Sequence, residues 1–428
     1  MAIAEGVKKR LWFAYFVALL CWTINGYVLL FSWLNEGTLF ARVMGGHPYV
    51  SDFVNLYDGG ILGLQGKSVK IYDYNVQAEL MKKTLAPIVP ELPFYLQAPP
   101  IFFVCCIPLA FLSLAGAWEL FCALALAALI WAVLELCKSR PDFSTSFRRA
   151  FAVISVLASF PAWIALRLGN NGILLVPGLT IFFSLLKSKR YFAAGLASAL
   201  LMVKVQYLPT VMIIGFVLGR WRYLAGAAIA ALAVGLLSVL VVGVDNVVDW
   251  VRVLLHAETT QKFSGVEPEM MQNIRGMIVA ITNNTDTSFG RITAGLAFVA
   301  SVFAIGFMWF KSYPLLAKRS VWAFEICAAL STLSMIIFSV HTHTQDYVCM
   351  AIAGIFLYSS CLEPGETVMD SRKQRLRTVL LMYPFLSWLF FIGKQLFFFL
   401  PIQPFVTFAI ALAIYSLNIW FTNPKTQT

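Results

Sequence analysis

Of the 428 residues, 60% are hydrophobic and 12% charged, and the mean hydropathy is +0.79. Soluble domains carry about 25% charged residues, and a water-soluble fold this apolar would expose large hydrophobic patches, so the composition excludes a soluble globule and makes lipid the solvent. The net charge of +11 does not indicate a nucleic-acid partner, because the basic residues sit in short clusters between apolar runs, as topology charge does.

In chain order, spanning helices are expected over 11–33, 114–137, 150–168, 171–187, 190–203, 205–219, 222–243, 290–310, 320–340, 346–362, 376–393 and 397–421, about 12 in an all-α polytopic membrane protein. The run from Leu11 to Trp33 is too long for a signal peptide and lacks a cleavage site. Trp12, Trp33, Trp221 and Trp250 stand at the ends of apolar runs, where an interfacial ring belongs. In this topology Lys8-Lys9-Arg10, Lys138 with Arg140, Arg148 and Arg149, Lys187-Ser188-Lys189-Arg190, Arg220-Trp221-Arg222, Lys318-Arg319 and Arg372-Lys373-Gln374-Arg375 fall on one side, taken as the cytoplasm. The stretch 98–113, opening Ala98-Pro99-Pro100 and containing Pro108, would break that pattern if it crossed. It is therefore expected to be an interfacial or re-entrant helix on the external face. The whole chain, 1–428, reads as one transmembrane domain with two long external loops, 34–113 and 244–289. The eight cysteines show no metal-binding spacing and read as small buried hydrophobes.

Polar groups embedded in apolar sequence are costly and usually functional, and here they gather on the external side. Ser51-Asp52-Phe53 opens an amphipathic stretch. Asp52 there suits a general base, whose basicity a low dielectric raises, or equally a helix N-cap. The turn Arg167-Leu168-Gly169-Asn170-Asn171-Gly172 offers Asn170 and Asn171 for hydroxyl or phosphate binding, and is also simply a good turn. Lys204, followed by Gln206, lies between two apolar runs; it either snorkels outward or meets a phosphate as a point charge. Met271-Gln272-Asn273-Ile274-Arg275-Gly276 adds Asn273 and Arg275 in the second loop. Ser339-Val340-His341-Thr342-His343-Thr344-Gln345-Asp346-Tyr347 is a polar wedge between two helices. His341 and His343, at i and i+2 with Asp346 nearby, read as a phosphate and sugar pocket, as an ordinary wet turn, or as a metal site for which no third strong ligand is evident.

Taken in order, these stretches resemble the polyprenyl-phosphate-sugar-dependent membrane glycosyltransferases of the C-type fold, in particular their mannosyl- and arabinofuranosyltransferase branch. The likeness runs over residues 50 to 350. It is carried by Ser51-Asp52-Phe53 with Gly66 and Ile71-Tyr72-Asp73, and by Tyr95-Leu96-Gln97-Ala98-Pro99-Pro100 with Pro108-Leu109-Ala110. Gly169-Asn170-Asn171-Gly172, the hairpin from Gly195 through Lys204-Val205-Gln206 to Arg220-Trp221-Arg222, Met271 to Gly276, and Ser339-Val340-His341 with Asp346 complete it. The chain departs from the pattern with Asn170 where Gln is usual, Val205 and Val340 where Pro is usual, and Gln345 where Tyr is usual.

What the resemblance implies is an inverting transfer of one sugar, mannose or another hexose or pentose, from a polyprenyl-phosphate carrier to a lipid or glycan acceptor. It also implies a site on the extracytoplasmic face of a bacterial inner membrane, external juxtamembrane helices, and neither cofactor nor metal. Asp52 would be the base, with Asn170, Asn171, Lys204, Gln206, Asn273, Arg275, His341, His343 and Asp346 binding donor phosphate and sugar. A transporter or flippase of a glycolipid or small solute is the alternative. Against it stand the lack of an evident internal repeat and the gathering of polar residues away from the midplane.

Overall fold

The computed structural model describes residues 12–13, 15–24, 52–86, 95–138, 140–257, 268–282, 286–317, 320–361, 370–396 and 402–421. Ser51, about half of the first apolar run, and parts of both expected external loops lie outside them. Among the described residues the chain is all-helical, without a strand.

Helix α1 covers Tyr15–Ile24. There follow α2 (Asp52–Gln65), α3 (Tyr74–Leu85), α4 (Pro100–Cys106), α5 (Leu114–Lys138), α6 (Ser146–Leu157), α7 (Phe160–Leu168), α8 (Leu175–Lys187) and α9 (Tyr191–Ala197). The second half comprises α10 (Leu208–Val242), α11 (Val244–Ala257), α12 (Ile274–Ile281), α13 (Ser288–Ala317), α14 (Val321–Phe338), α15 (Met350–Ser360), α16 (Ser371–Leu396) and α17 (Pro404–Phe421).

Among the described residues five stretches are long and apolar enough to cross a membrane: Leu114–Lys138, Tyr191–Val242, Ser288–Ala317, Val321–Phe338 and Ser371–Leu396. A sixth arises if α6 and α7, bent 62° at their junction, count as one. The dozen expected from the apolar runs is not reached by length: Tyr191–Val242 takes in three of those runs, and the bend between α6 and α7 and the 3-10 turns before α8 and α15 cut others into shorter pieces. The backbone leaves helical geometry at Lys204 (φ −142°, ψ 88°) and at Arg220 (φ 48°, ψ −130°). At Arg220 the chain folds back: the Tyr223 ring lies 2.3 Å from where a Cβ on Gly215 would be, a contact eight residues back that a continuous helix does not make. Gly195 and Gly226 let α9 and the second half of α10 meet backbone to backbone, since a Cβ on either would sit within 2.2 Å of a main-chain oxygen.

Helix α14 is the axis of the bundle. Of its 18 residues 89% are buried, which matches a helix apolar on every side. Near its first turn, Glu325 meets Arg140 at 2.8 Å, both almost fully buried, and the Arg140 guanidinium lies over the Phe356 ring. Arg377 pairs with Asp142 nearby, and Lys187 is electrostatically coupled to Arg140 and Glu325. Arg140, Lys187 and Arg377 thus gather at one end of α14. Its other end opens at Ser339, 14 residues past Glu325, about 21 Å along the axis.

A layer of short helices covers that second end. The stretch Pro100–Phe111, expected not to cross, has 12 residues, about 18 Å if wholly helical, against about 30 Å of bilayer core. It packs flat on α2, where Gly60 and Gly63 face the main-chain oxygens of Cys106 and Phe103. Helix α3 starts at Asp73, whose carboxylate caps the backbone N–H groups of Asn75 and Val76. The Asn246 side chain of α11 holds Ile71 and Val69 by their main chains, and the Trp250 indole donates to the Gln97 carbonyl at 3.1 Å.

Candidate active site

Helix α7 ends at Gly169, whose left-handed backbone (φ 59°, ψ 37°) is what a helix C-cap asks of glycine. A Cβ there would lie 2.6 Å from Phe53 Cβ. Glycine at this point therefore both stops the helix and lets the first turn of α2 press against it. Asp52, the first residue of α2, is brought beside Asn170 as a result.

The Asn170 side chain is oriented from both ends. Its Oδ1 accepts the Gly172 N–H at 2.7 Å, capping the turn Asn171–Leu174, and its Nδ2 donates to Asp52 Oδ2 at 2.5 Å. With the oxygen committed to the cap, only the NH2 group can face Asp52. Burial pushes the Asp52 carboxyl above its ordinary value, the Asn170 hydrogen bond and the charge of Lys204 pull it down, and Asp346 pushes it up. The carboxylate is thus more basic than one in water, yet held ready to ionise.

Lys204 sits at the break between α9 and α10 and reaches Asp346 Oδ1 at 2.6 Å. Asp346 is fully buried. Its other oxygen accepts the His343 N–H at 3.0 Å, closing the turn Thr344–Cys349. Gly172 abuts this pair, and a Cβ added there would lie 2.5 Å from Asp346 Oδ1. One turn thereby supplies both the cap that aims Asn170 and the space that the ion pair occupies.

His341 and His343 are half-buried and meet through their Nε2 atoms at 3.1 Å. One ring must accept there, so both cannot be protonated together. Burial depresses both imidazoles. His343 and then Lys204 and Arg275 add to this at His341, while at His343, held down to about 4, Asp346 partly opposes burial and Lys204 reinforces it. Protein groups alone thus favour neutral rings, opposite to the protonated form that an adjacent phosphate would favour. The two rings and the cations around them do not make a good cage for a metal ion, and no group of three or more His, Cys, Asp or Glu able to hold one occurs among the described residues.

The remaining sequence-derived candidates surround this centre. The Gln206 Nε2 donates to the His341 carbonyl at 2.9 Å. Asn273 caps α12 through the Gly276 N–H and donates to the Ser339 carbonyl at 2.8 Å. Arg275 is buried and pairs with Asp286 at 2.9 Å. Asn171 lies half-buried at the rim. Gln206 and Asn273 thus hold the 339–343 backbone, while Arg275 supplies charge beside it.

Further residues shape the site through pairings that the sequence does not announce. The Gln272 N–H donates to the Thr342 carbonyl, its amide meets Gln403 at 2.6 Å, and Tyr347 donates to its carbonyl. Tyr207 shares a hydrogen bond with Thr342. These clamps join positions more than 60 residues apart, and no local pattern announces them. Three other acids have partners of their own: Asp73 caps α3, Asp346 is paired with Lys204, and one oxygen of Asp58 faces Thr84 of α3.

The sequence model of Glycosyltransferase family 87 matches residues 97–339, more than half of the chain. Asn170, Asn171, Lys204, Gln206, Asn273 and Arg275 lie inside the matched span; Asp52, His341, His343 and Asp346 lie outside it. Neither a curated protein nor a solved structure matches the chain.

Proposed function

The chain belongs to glycosyltransferase family 87, and from that premise we propose that it moves one sugar from a polyprenyl-phosphate carrier to a glycolipid or glycan acceptor, with inversion. The observation that carries this reading is the division of labour around Asn170. A half-buried carboxylate, Asp52, is held from one side, a cation, Lys204, stands close enough to act on its charge, and two imidazoles stand beside that cation. In the reaction proposed, Asp52 takes the proton of the acceptor hydroxyl as that oxygen attacks the anomeric carbon. The bond from that carbon to the carrier's phosphate oxygen breaks, and the phosphate leaves with the electron pair. Lys204, Arg275 and the His341–His343 pair stabilise its charge. Asn171, Gln206, Asn273 and Asp346 keep the donor side in register, and the chemistry needs neither metal nor nucleotide.

The same reading makes the fold a C-type one, with Tyr191–Val242 counted as three spans at its breaks and α1, α8, α15 and α17 completing about 12. The site then lies on the extracytoplasmic face of a bacterial inner membrane, and mannose and arabinofuranose are the first sugars to try. A transporter is less well supported, since the polar groups gather at one end of α14 and not at mid-depth. The test is purified protein in nanodiscs given synthetic polyprenyl-phosphate mannose or arabinofuranose and membrane lipid extract, with products read by mass spectrometry. A new glycolipid with wild type and none with Asp52→Asn is expected. Wild type that leaves every such donor intact would overturn the reading.

A further inference from the structure

A second polar feature lies on α2 beyond the base. Asp52, Asn55, Gly59 and Leu62 recur at i, i+3, i+7 and i+10 and so share one face of the helix. Asn55, Gly59 and Leu62, with Asp58 at the edge of this face, line a small cleft whose far wall is Gln77 and Met81 of α3 and Leu96. It has room for about one water-sized group. A site for a drug-sized ligand needs roughly 300–1,000 Å³, so this cleft takes a single hydroxyl, not an oligosaccharide.

Asp58 is the unusual part of that lining. It is 6% exposed; its Oδ1 accepts from the Thr84 hydroxyl at 2.6 Å, whereas its Oδ2 has no partner among the described residues. A buried carboxyl oxygen left unpaired is costly and calls for a ligand. The neighbouring Gln77 does not supply one, because its amide holds the main chains of Ile71 and Leu96. Burial lifts the Asp58 carboxyl to about 7, against the opposing Thr84 hydrogen bond. Near neutrality the group is thus able both to donate to a hydroxyl and to accept from one. Along the axis Asp58 stands six residues, about 9 Å, from Asp52.

We propose that the Asn55–Asp58 cleft between α2 and α3 is an acceptor subsite that receives a sugar hydroxyl, so that another hydroxyl of the same polyol acceptor is presented to Asp52. The proposal rests on the transferase reading above for its purpose, but its binding step is independent of turnover. The test uses the full chain in nanodiscs with methyl α-mannopyranoside as the probe, its dissociation constant read by saturation-transfer NMR. Asp58→Asn and Asn55→Leu, the latter at the half-buried rim, are each expected to weaken binding about tenfold without shifting thermal unfolding. Tetrahydropyran, a ring of like size without hydroxyls, should not compete. Asn55→Leu keeps the test alive if Asp58→Asn does not fold. Unchanged binding in a folded variant, competition by tetrahydropyran, or no binding to wild type would overturn the subsite. Donor consumption measured on the same preparation is a separate readout: its absence would overturn the transferase reading and leave the binding result standing.

Discussion

Asn170 donates to Asp52 at 2.5 Å while its own amide oxygen is tied down by the Gly172 N–H. A hydrogen bond to the ionised form of an acid favours that form, so Asn170 sets where Asp52 titrates. In Asn170→Ala the carboxyl should titrate at higher pH, because the contribution that pulls it down is gone. A base must be ionised to act, so the acid limb of the kcat/KM profile should move to higher pH while the plateau falls. An unshifted limb would remove Asp52 from the role of base or Asn170 from its orientation.

Gly172 allows no side chain. Alanine there would place Cβ 2.5 Å from Asp346 Oδ1, and overpacking of this kind costs about 1–3 kcal/mol. Thermal unfolding in detergent should show a lower midpoint for Gly172→Ala, together with reduced turnover, since the same turn aims Asn170. A variant as stable and active as wild type would mean that the turn yields without cost.

Lys204→Met leaves a fully buried Asp346 carboxylate without its ion partner. Breaking one side of such a pair costs about 3–5 kcal/mol, whereas Lys204→Met with Asp346→Asn should regain most of that loss. Asn at 346 can still accept the His343 N–H. Stability and activity should then part company: the double variant folds well, yet its KM for the donor stays high because the phosphate has lost its cation. Recovery of donor KM in the double variant would confine Lys204 to a structural role.

The imidazole pair gives a pH signature with a definite sign. His343 titrates at about 4 in the fold and near 6.5 in an unfolded chain. Between those values the unfolded chain binds a proton that the folded one refuses. This contribution to stability is complete above pH 6.5 and is lost as pH falls toward 4. Relative to wild type, His343→Gln should gain up to about 3 kcal/mol over that window. The comparison must be between variants, because Asp52 and Asp58, both raised, drive the wild-type curve the opposite way. A pH-independent difference between the two proteins would show that His343 titrates normally.

Chelation separates the phosphate reading of the histidines from the metal reading. Transfer should survive EDTA, and His341→Ala should raise the donor KM more than the acceptor KM. Loss of activity on chelation, restored by a divalent cation, would make His341 and His343 metal ligands.

Sequence patterns and structure part at identifiable places. Asp52, Lys204 and the 339–347 wedge stand out because polar residues inside apolar runs need a reason, and all three come together in space. The helical class follows from hydropathy alone. The breaks at Lys204 and Arg220 coincide with the ends of expected runs. The number of long helices does not follow, since the bend between α6 and α7 and the turns before α8 and α15 leave hydropathy unchanged while ending a helix. The clamp of Gln272, Gln403, Thr342 and Tyr347 is hidden for another reason: three of its members stand in polar stretches that the sequence marks, but only the tertiary fold pairs them with one another and with Gln403. The Asn170 amide shows a third case, where Asn in place of the usual Gln reads as a departure until its cap explains how a shorter side chain still reaches Asp52.

Helix α14 carries the Arg140–Glu325 pair near one end and the Ser339 to Asp346 segment at the other, with no kink between them. The end that carries the candidate site and the basic end are thus fixed on a rod whose length cannot adjust. Such a protein is matched to one thickness of hydrocarbon, and mismatch costs fractions of a kcal/mol per ångström. Reconstitution in lipids of graded chain length should therefore give an activity optimum in bilayer thickness: in thinner or thicker bilayers the whole bundle has to tilt, and the height of the site relative to the headgroups shifts with it.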